Sequence, residues 1–276
     1  MTPRVSIIIP CFNKAPYVGE AINSALAQSY PNVEVIVVDD GSTDNSLAVI
    51  KDYLNKGIKL IQQKNQGVCV ARNNAISQSA GEYIVPLDAD DILSPVYVQR
   101  CIDWFEANPN TKLVYTQCDY FGNRKGSVAI PPYCWDILLW YSIIPATSMF
   151  RRIDYDNTCG YNPNMIFALE DWDFYLSLLG PTDVVHLIEE PLLHYRIINS
   201  ARNNNINSNK EAIFKQIYNN HPGLYAQYTD TLILAHDNWK EYEHLYQGIH
   251  KSKAYRLGKA ILRPFSKLQS LYAHLR

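Results

Sequence analysis

The chain has 276 residues, 47% of them hydrophobic and 19% charged, and a formal net charge of −2. Such a composition describes a folded globular protein with room for one large core, or a core and an appendage, and excludes a disordered or fibrous chain. Charge is uneven: Lys251, Lys253, Arg256, Lys259, Arg263, Lys267 and Arg276 stand among no acids, so residues 251–276 carry +7 and the remainder −9.

Residues 5–9 form an almost continuous apolar run closed by Pro10, the pattern of a parallel strand covered on both faces. Tyr17, Ala21, Ile22, Ala25 and Leu26 recur at helical spacing and predict an amphipathic helix ending near Tyr30-Pro31. A second strand is expected over 33–38, followed by Asp39-Asp40-Gly41-Ser42-Thr43-Asp44, where Ser42 or Thr43 is placed to cap the next helix. A third strand over 58–61 and a helix over 68–76, carrying Arg72 and Asn73, lead through Gly81 into a buried strand over 83–87. Strand and helix thus alternate four times in under 90 residues, the signature of a parallel sheet built by right-handed crossovers. Beyond it, a helix over 95–106, a strand over 112–116, an irregular aromatic stretch over 119–135, a short helix over 136–142 and a strand over 146–151 are expected. Glu170-Asp171-Trp172-Asp173 opens a helix with its acids in the first turn. Strands over 184–188 and 192–198, an Asn-rich loop over 199–209 and mostly helix thereafter complete the reading.

The run Tyr83-Ile84-Val85-Pro86-Leu87 ends in Asp88-Ala89-Asp90-Asp91, three carboxylates at a strand's C-terminal end, where open α/β sheets bind ligands. Carboxylates so close repel unless a cation joins them, and a magnesium-like ion is usually held by one or two carboxylates plus phosphate oxygens. The same residues also read as a solvated acidic turn. No G-x-G-x-x-G fingerprint and no G-x-x-x-x-G-K-[ST] loop is present, which argues against dehydrogenases, kinases and NTPases. The six cysteines (11, 69, 101, 118, 134 and 159) include no C-x-x-C pair and read as reduced packing thiols of a cytoplasmic protein, Cys11 and Cys69 included. Met1-Thr2-Pro3-Arg4 leads directly into the first strand without an apolar leader. No stretch reaches the roughly 18–20 apolar residues of a membrane span.

Taken in order, Val5-Ser6-Ile7-Ile8-Ile9-Pro10-Cys11-Phe12-Asn13-Lys14, Val37-Val38-Asp39-Asp40-Gly41-Ser42-Thr43-Asp44, Ala71-Arg72-Asn73, Leu87-Asp88-Ala89-Asp90-Asp91 and Glu170-Asp171-Trp172-Asp173 resemble the family 2 inverting glycosyltransferases of the GT-A fold. The resemblance covers about residues 4–200. It implies a Rossmann-like, mostly parallel central sheet flanked by helices, and a sugar moved from a nucleotide-sugar, a UDP-sugar foremost, to a glycan or lipid-linked acceptor in cell-surface polysaccharide synthesis. By the same resemblance, Pro10, Phe12 and Asn13 line the nucleotide pocket and Asp39 accepts a hydrogen bond from the base. Asp88 faces the ribose or the sugar, Asp90 helps hold Mn²⁺ or Mg²⁺ on the diphosphate, Arg72 lies near the donor and Asp171 is the general base. The family often carries Tyr-Arg-x-His after this helix. Here His194-Tyr195-Arg196-Ile197-Ile198 lacks that second histidine, so Arg196, assisted by Arg202, is the candidate for the phosphate and His194 reads as structural.

Bland alternatives stand beside these roles: an Asx turn and cap at 39–44, a surface position for Arg72, and first-turn acids at 170–173, with Glu170 or Asp173 able to exchange places with Asp171. A catalytically silent nucleotide-sugar or glycan-binding module and a sugar nucleotidyltransferase are the competing functions. The expected organisation is a GT-A domain over 1–205, with a nucleotide-binding half over 1–92 and an acceptor half over 93–205, then a helical extension over 206–276. In that extension Leu257, Ile261, Phe265, Leu268, Leu271, Tyr272 and Leu275 alternate with the cations, as in a basic amphipathic helix. It reads equally as an anchor on an anionic membrane's inner face and as a stripe packed on the catalytic domain or across a homodimer. A positive charge confined to such a tail, beside an acidic pocket, argues against a nucleic-acid partner.

Overall fold

The computed structural model describes residues 2–198 and 201–228, except for the side chains of 201–207. The basic stretch 251–276 and the side chain of Arg202 lie outside the described residues. The chain divides into two compact units, Met1–His221 and Pro222–Arg276; the described part of the second contains one short helix, Pro222–Ala226.

In the first unit the alternation runs β1 (Val5–Cys11), α1 (Val18–Leu26), β2 (Val33–Asp39), α2 (Ser46–Lys51), a 3-10 turn at Leu54–Lys56, β3 (Lys59–Gln62), α3 (Val68–Ser77) and β4 (Tyr83–Pro86). All seven residues of β1 are buried, as expected of an apolar run without a polar face. Val18, Ala21, Ile22 and Ala25 put one stripe of α1 into the core. The remaining elements are β5 (Ile92–Leu93), α4 (Tyr97–Ala107), β6 (Thr111–Gly122), β7 (Gly126–Val128), α5 (Trp135–Leu138), β8 (Met149–Arg151), α6 (Arg152–Asp156), α7 (Glu170–Leu178), β9 (Val184–Ile197) and α8 (Ala201–Asn220).

One sheet runs in the order β3-β2-β1-β4-β8-β6-β9-β5, with β7 paired to β6. The first four strands are parallel, with Ile8 level with both Ile36 and Pro86 and Cys11 level with Asp39. That register brings the loops after β1, β2 and β4 to one edge. The antiparallel β8 joins β4 to β6, and β6 and β9 are again parallel. The α/β architecture is the expected one.

Several local expectations give way. The stretch over 119–135 is not wholly irregular, because β6 continues to Gly122 and folds back as β7, pairing Cys118 with Val128 and Tyr120 with Gly126. The two strands expected over 184–198 are one: Thr116 pairs with Ile188, Gln117 with Pro191 and Cys118 with Leu193, so register shifts absorb Glu189, Glu190 and Leu192 as irregularities within a single strand. Residues 201–209, expected as loop, belong to α8, which breaks helical geometry only at Asn209 (φ −117°, ψ 15°). The cap of α2 comes from neither Ser42 nor Thr43; the Asp44 carboxylate accepts the Ser46 N–H at 2.9 Å. Among the described residues no helix is long and apolar enough to cross a membrane.

Candidate active site

The loop after β1 is clasped to the loop after β2 by Asn13, whose backbone is left-handed (φ 53°). Asparagine tolerates that conformation better than most residues. Its side-chain oxygen accepts the N–H groups of Thr43 (2.8 Å) and Asp44 (3.2 Å), and its own N–H donates to Ser42 Oγ at 3.1 Å. Gly41 makes the turn possible: its φ is +72°, and a Cβ there would stand 2.7 Å from the Asn65 nitrogen. Asp39, buried at the end of β2, accepts the Ser42 N–H at 3.3 Å. Asp40 is buried too, and three donors converge on it: Gln63 Nε2 (2.7 Å) and the N–H groups of Gln66 and Gly67 (both 2.9 Å).

These loops border a hollow of about 270 Å³ whose walls include Pro10, Phe12, Lys14, Asp40, Asp88 and Asp90. Asp88 accepts from Arg72 Nη2 at 2.8 Å, and Nη1 of the same guanidinium donates to Glu170 at 3.0 Å. Arg72 is 0% exposed, so it is no surface residue of α3; its group also lies 5.1 Å from the Tyr161 ring. Asp90 meets the ammonium of Lys14. Asp91 turns inward and accepts the Arg196 N–H at 2.8 Å. Its burial, and then the charge of Asp88, push its pKa well above the usual carboxylate value, with Asp90 adding to the rise and the Arg196 N–H and Lys14 opposing it.

The Arg196 guanidinium donates to the Asp90 carbonyl (2.8 Å) and to Glu20 (2.9 Å), between the rings of Tyr17 and Phe121. It braces the acidic loop from behind. His194 sits in β9 opposite Ile92. Burial raises the thiols of Cys11 and Cys69 to about 11 and about 12, which suits packing and not nucleophilic chemistry.

Leu169, immediately before α7, is held in a left-handed backbone (φ 62°). That turn sorts the acids behind it. Glu170 goes inward to Arg72, and Asp173 is buried beneath the end of α8, accepting from Asn220 (2.8 Å) and lying 3.0 Å from His221 Nε2. Asp171 instead borders a second hollow, of about 470 Å³, together with Asp91, Tyr120, Ile130, Ile144 and Tyr195; one of its oxygens accepts the Trp172 N–H at 2.9 Å. Asp88 and Ala168 belong to the walls of both hollows.

Of the residues singled out from the sequence, Pro10, Phe12, Asp88 and Asp90 line the first hollow and Asp171 the second. Asn13, Asp39, Arg72 and Arg196 line neither and shape the loops around them. Sequence reasoning gave no role to Lys14 or Asp40, counted Asp91 only among three carboxylates that a cation would join, and left Glu170 interchangeable with Asp171. Their place inside the motifs was the only available signal. Among the described residues no three His, Cys, Asp or Glu converge to hold a metal by protein ligands alone. The donor set nonetheless fits a divalent cation shared with phosphate oxygens, because Asp90 lines the hollow and its carboxylate already draws a positive group.

Acids gathered at the strand ends of an open α/β sheet, around two adjoining hollows, mark this edge as a ligand site. The fold matches Staphylococcus aureus TarS 1–349 in complex with UDP (TM-score 0.60, 23% identity, 70% of this chain and 60% of that one). It also matches the mannosyltransferase PcManGT from Pyrobaculum calidifontis in complex with GDP-Man and Mn²⁺ (TM-score 0.59, 17% identity, 94% and 84%). Residues 6–171 match the model of glycosyl transferase family 2, and the chain belongs to that family. It is 35% identical over 191 residues to the chondroitin synthase of Escherichia coli, an alignment spanning 65% of this chain and 27% of that synthase, so the chain covers about a quarter of its relative.

Proposed function

We propose that this chain transfers a sugar from a nucleotide-sugar, a UDP-sugar foremost, to a hydroxyl of a glycan or lipid-linked acceptor by a single inverting displacement. The observation that carries the reading is the meeting of the two hollows at Asp88 and Ala168, with Asp90 on the wall of one and Asp171 on the wall of the other. The donor lies in the first hollow, between Pro10 and Phe12 and the acids after β4. Asp39 is a carboxylate able to accept from a base N–H. The solved TarS complex with UDP supports this choice of nucleotide.

Asp90 would hold Mn²⁺ or Mg²⁺ there, and Asp88, oriented by Arg72, faces the ribose or sugar. A bound divalent cation supplies charge neutralisation to the departing diphosphate. Arg196, the single arginine of β9, keeps the Asp90 carbonyl in place. The acceptor enters the second hollow. Asp171 takes the proton from its hydroxyl as that oxygen bonds to the anomeric carbon; the bond from that carbon to the diphosphate oxygen breaks, and its electron pair leaves with the diphosphate. One base on the face opposite the leaving group suffices for inversion, and no covalent intermediate forms.

The likeness to a chondroitin synthase favours polysaccharide synthesis, and the basic amphipathic pattern of residues 251–276 is what favours contact with anionic lipid at the inner face of the cell membrane. The test is nucleotide release by the full chain across UDP-, GDP- and TDP-sugars with Mn²⁺, repeated with Asp171→Asn. Turnover falling about 10²–10⁴-fold while UDP binding persists is the expected result. An Asp171→Asn protein that turns over like the wild type refutes the assignment.

A further inference from the structure

We propose that Lys14 is the resting counter-cation of Asp90 and exchanges with the divalent metal: the ammonium leaves Asp90 as metal arrives and passes to the donor's diphosphate. The inference rests on the donor site described above. Lys14 Nζ contacts Asp90 Oδ2, and both side chains are only partly exposed, at 29% and 17%. The lysine's backbone is fixed. Its N–H donates to Ser46 Oγ (2.8 Å), and its carbonyl accepts the N–H groups of Tyr17 and Val18 (both 2.9 Å), which starts α1. Only the side chain is left to move, from an anchored base on the wall of the hollow.

Charge within the hollow singles out this pair. The described lining holds four acids, Asp40, Asp88, Asp90 and Glu170, and one cation, Lys14. Asp40 is met by three N–H donors, and Asp88 and Glu170 share the buried Arg72. Asp90 meets the lysine. A divalent ion at the same carboxylate would stand a few ångströms from that ammonium, and like charges at such range repel. Metal without nucleotide must therefore expel Lys14 into solvent. A diphosphate brings several negative charges, which accept both cations together. Metal and nucleotide consequently bind with positive coupling, and by linkage each strengthens the other equally.

The experiment measures Mn²⁺ affinity of the full chain from the free-Mn²⁺ electron paramagnetic resonance signal, with and without UDP, for the wild type, Lys14→Met, Lys14→Arg and Asp90→Asn. Removing the competing charge is expected to tighten Mn²⁺ binding without UDP about fivefold, the scale of a partly exposed ion pair. It also shrinks the tightening that UDP produces and weakens UDP in the presence of Mn²⁺. Lys14→Arg, which keeps the charge, returns all three toward wild type. Lys14→Gln repeats the measurement with a neutral polar side chain, and a thermal melt checks that each variant is folded. Mn²⁺ affinity without UDP that is unchanged or weaker in both neutral variants overturns the exchange. When the wild type still takes up Mn²⁺ with UDP and Asp90→Asn does not, that failure belongs to the exchange alone. A wild type that takes up no Mn²⁺ even with UDP overturns the donor-site reading and the exchange with it.

Discussion

Replacing Arg72 with methionine removes the one charge that joins Asp88 to Glu170 while keeping an unbranched chain of similar volume. Glu170 is 2% exposed, so its carboxylate is left buried without the guanidinium. Breaking a buried pair by removing one partner costs about 3–5 kcal/mol, because the surviving charge is desolvated without compensation. Asp88 is partly exposed, and solvent screening holds its share below about 1 kcal/mol. In a unit of this size each kcal/mol shifts the melting temperature by about 2–4 °C, so a loss of about 3–6 kcal/mol in Arg72→Met is expected to lower the melting temperature by about 6–24 °C at pH 7. Glu170→Gln in that background discharges the buried carboxylate and recovers most of the loss. Circular dichroism melts of the four proteins of the cycle measure it. An Arg72→Met protein melting within about 2 °C of wild type, or a double variant less stable than Arg72→Met, refutes the account of Arg72 as a buried clamp.

Two further expectations concern the scaffold. Gly160 has φ +70°, and a Cβ there would approach Tyr155 Oη to 2.6 Å and Asn73 Oδ1 to 2.8 Å; Gly160→Ala should therefore destabilise the fold by about 1–3 kcal/mol in chemical denaturation, whereas a neutral result would mean that the 155–161 turn relaxes freely. His186 stacks on Trp104 with ring centroids 3.2 Å apart, and burial lowers its pKa below 6.5, against a smaller opposing effect of Glu189. A depressed histidine contributes stability that is complete above its unfolded value and lost as pH falls through the folded one. His186→Phe keeps the stack without the proton, so the drop in melting temperature between pH 7.5 and pH 5 should be smaller than in wild type; an equal drop removes His186 from the acid response.

The parallel half was legible because β1, β2 and β4 are short apolar runs that end in proline or acids, and because period and composition are local signals. Pro10, Asp39 and Asp88 could thus be placed at one sheet edge before any pairing was known. The hairpin of β6 and β7 was not legible, since its half-exposed residues alternate without an apolar contrast. Two-residue β5 is defined only by its partner in β9. Side-chain allegiance was hidden for a different reason. Arg72 meets Glu170 across 98 positions and Lys14 meets Asp90 across 76, and no local rule assigns one carboxylate among several to a given cation. The sorting of Glu170, Asp171 and Asp173 depends on the left-handed Leu169 and on Asn220 and His221 at the end of α8, none of which the acidic cluster itself announces.

Those long-range pairs also explain why the two hollows keep a fixed relation. Asp88 lies two residues before Asp90, and Glu170 one residue before Asp171; the buried Arg72 grips Asp88 at the wall of the hollows and Glu170 inside the core. The span between the acid of the first hollow and that of the second is therefore tied to one guanidinium on α3. A displacement reaction needs its base and its leaving group at a defined separation, and misplacement by about an ångström costs on the order of a hundredfold in rate. Since the proposed chemistry asks for that constancy, the buried ion cluster matters more as a spacer than as a source of stability, which well-packed apolar residues of equal volume would supply as well. Apolar replacement of the two buried groups, Arg72 and Glu170, which leaves Asp88 in the donor site, is expected to recover the melting temperature and not the spacing. Nucleotide release by such a double variant should stay low even where its stability matches wild type.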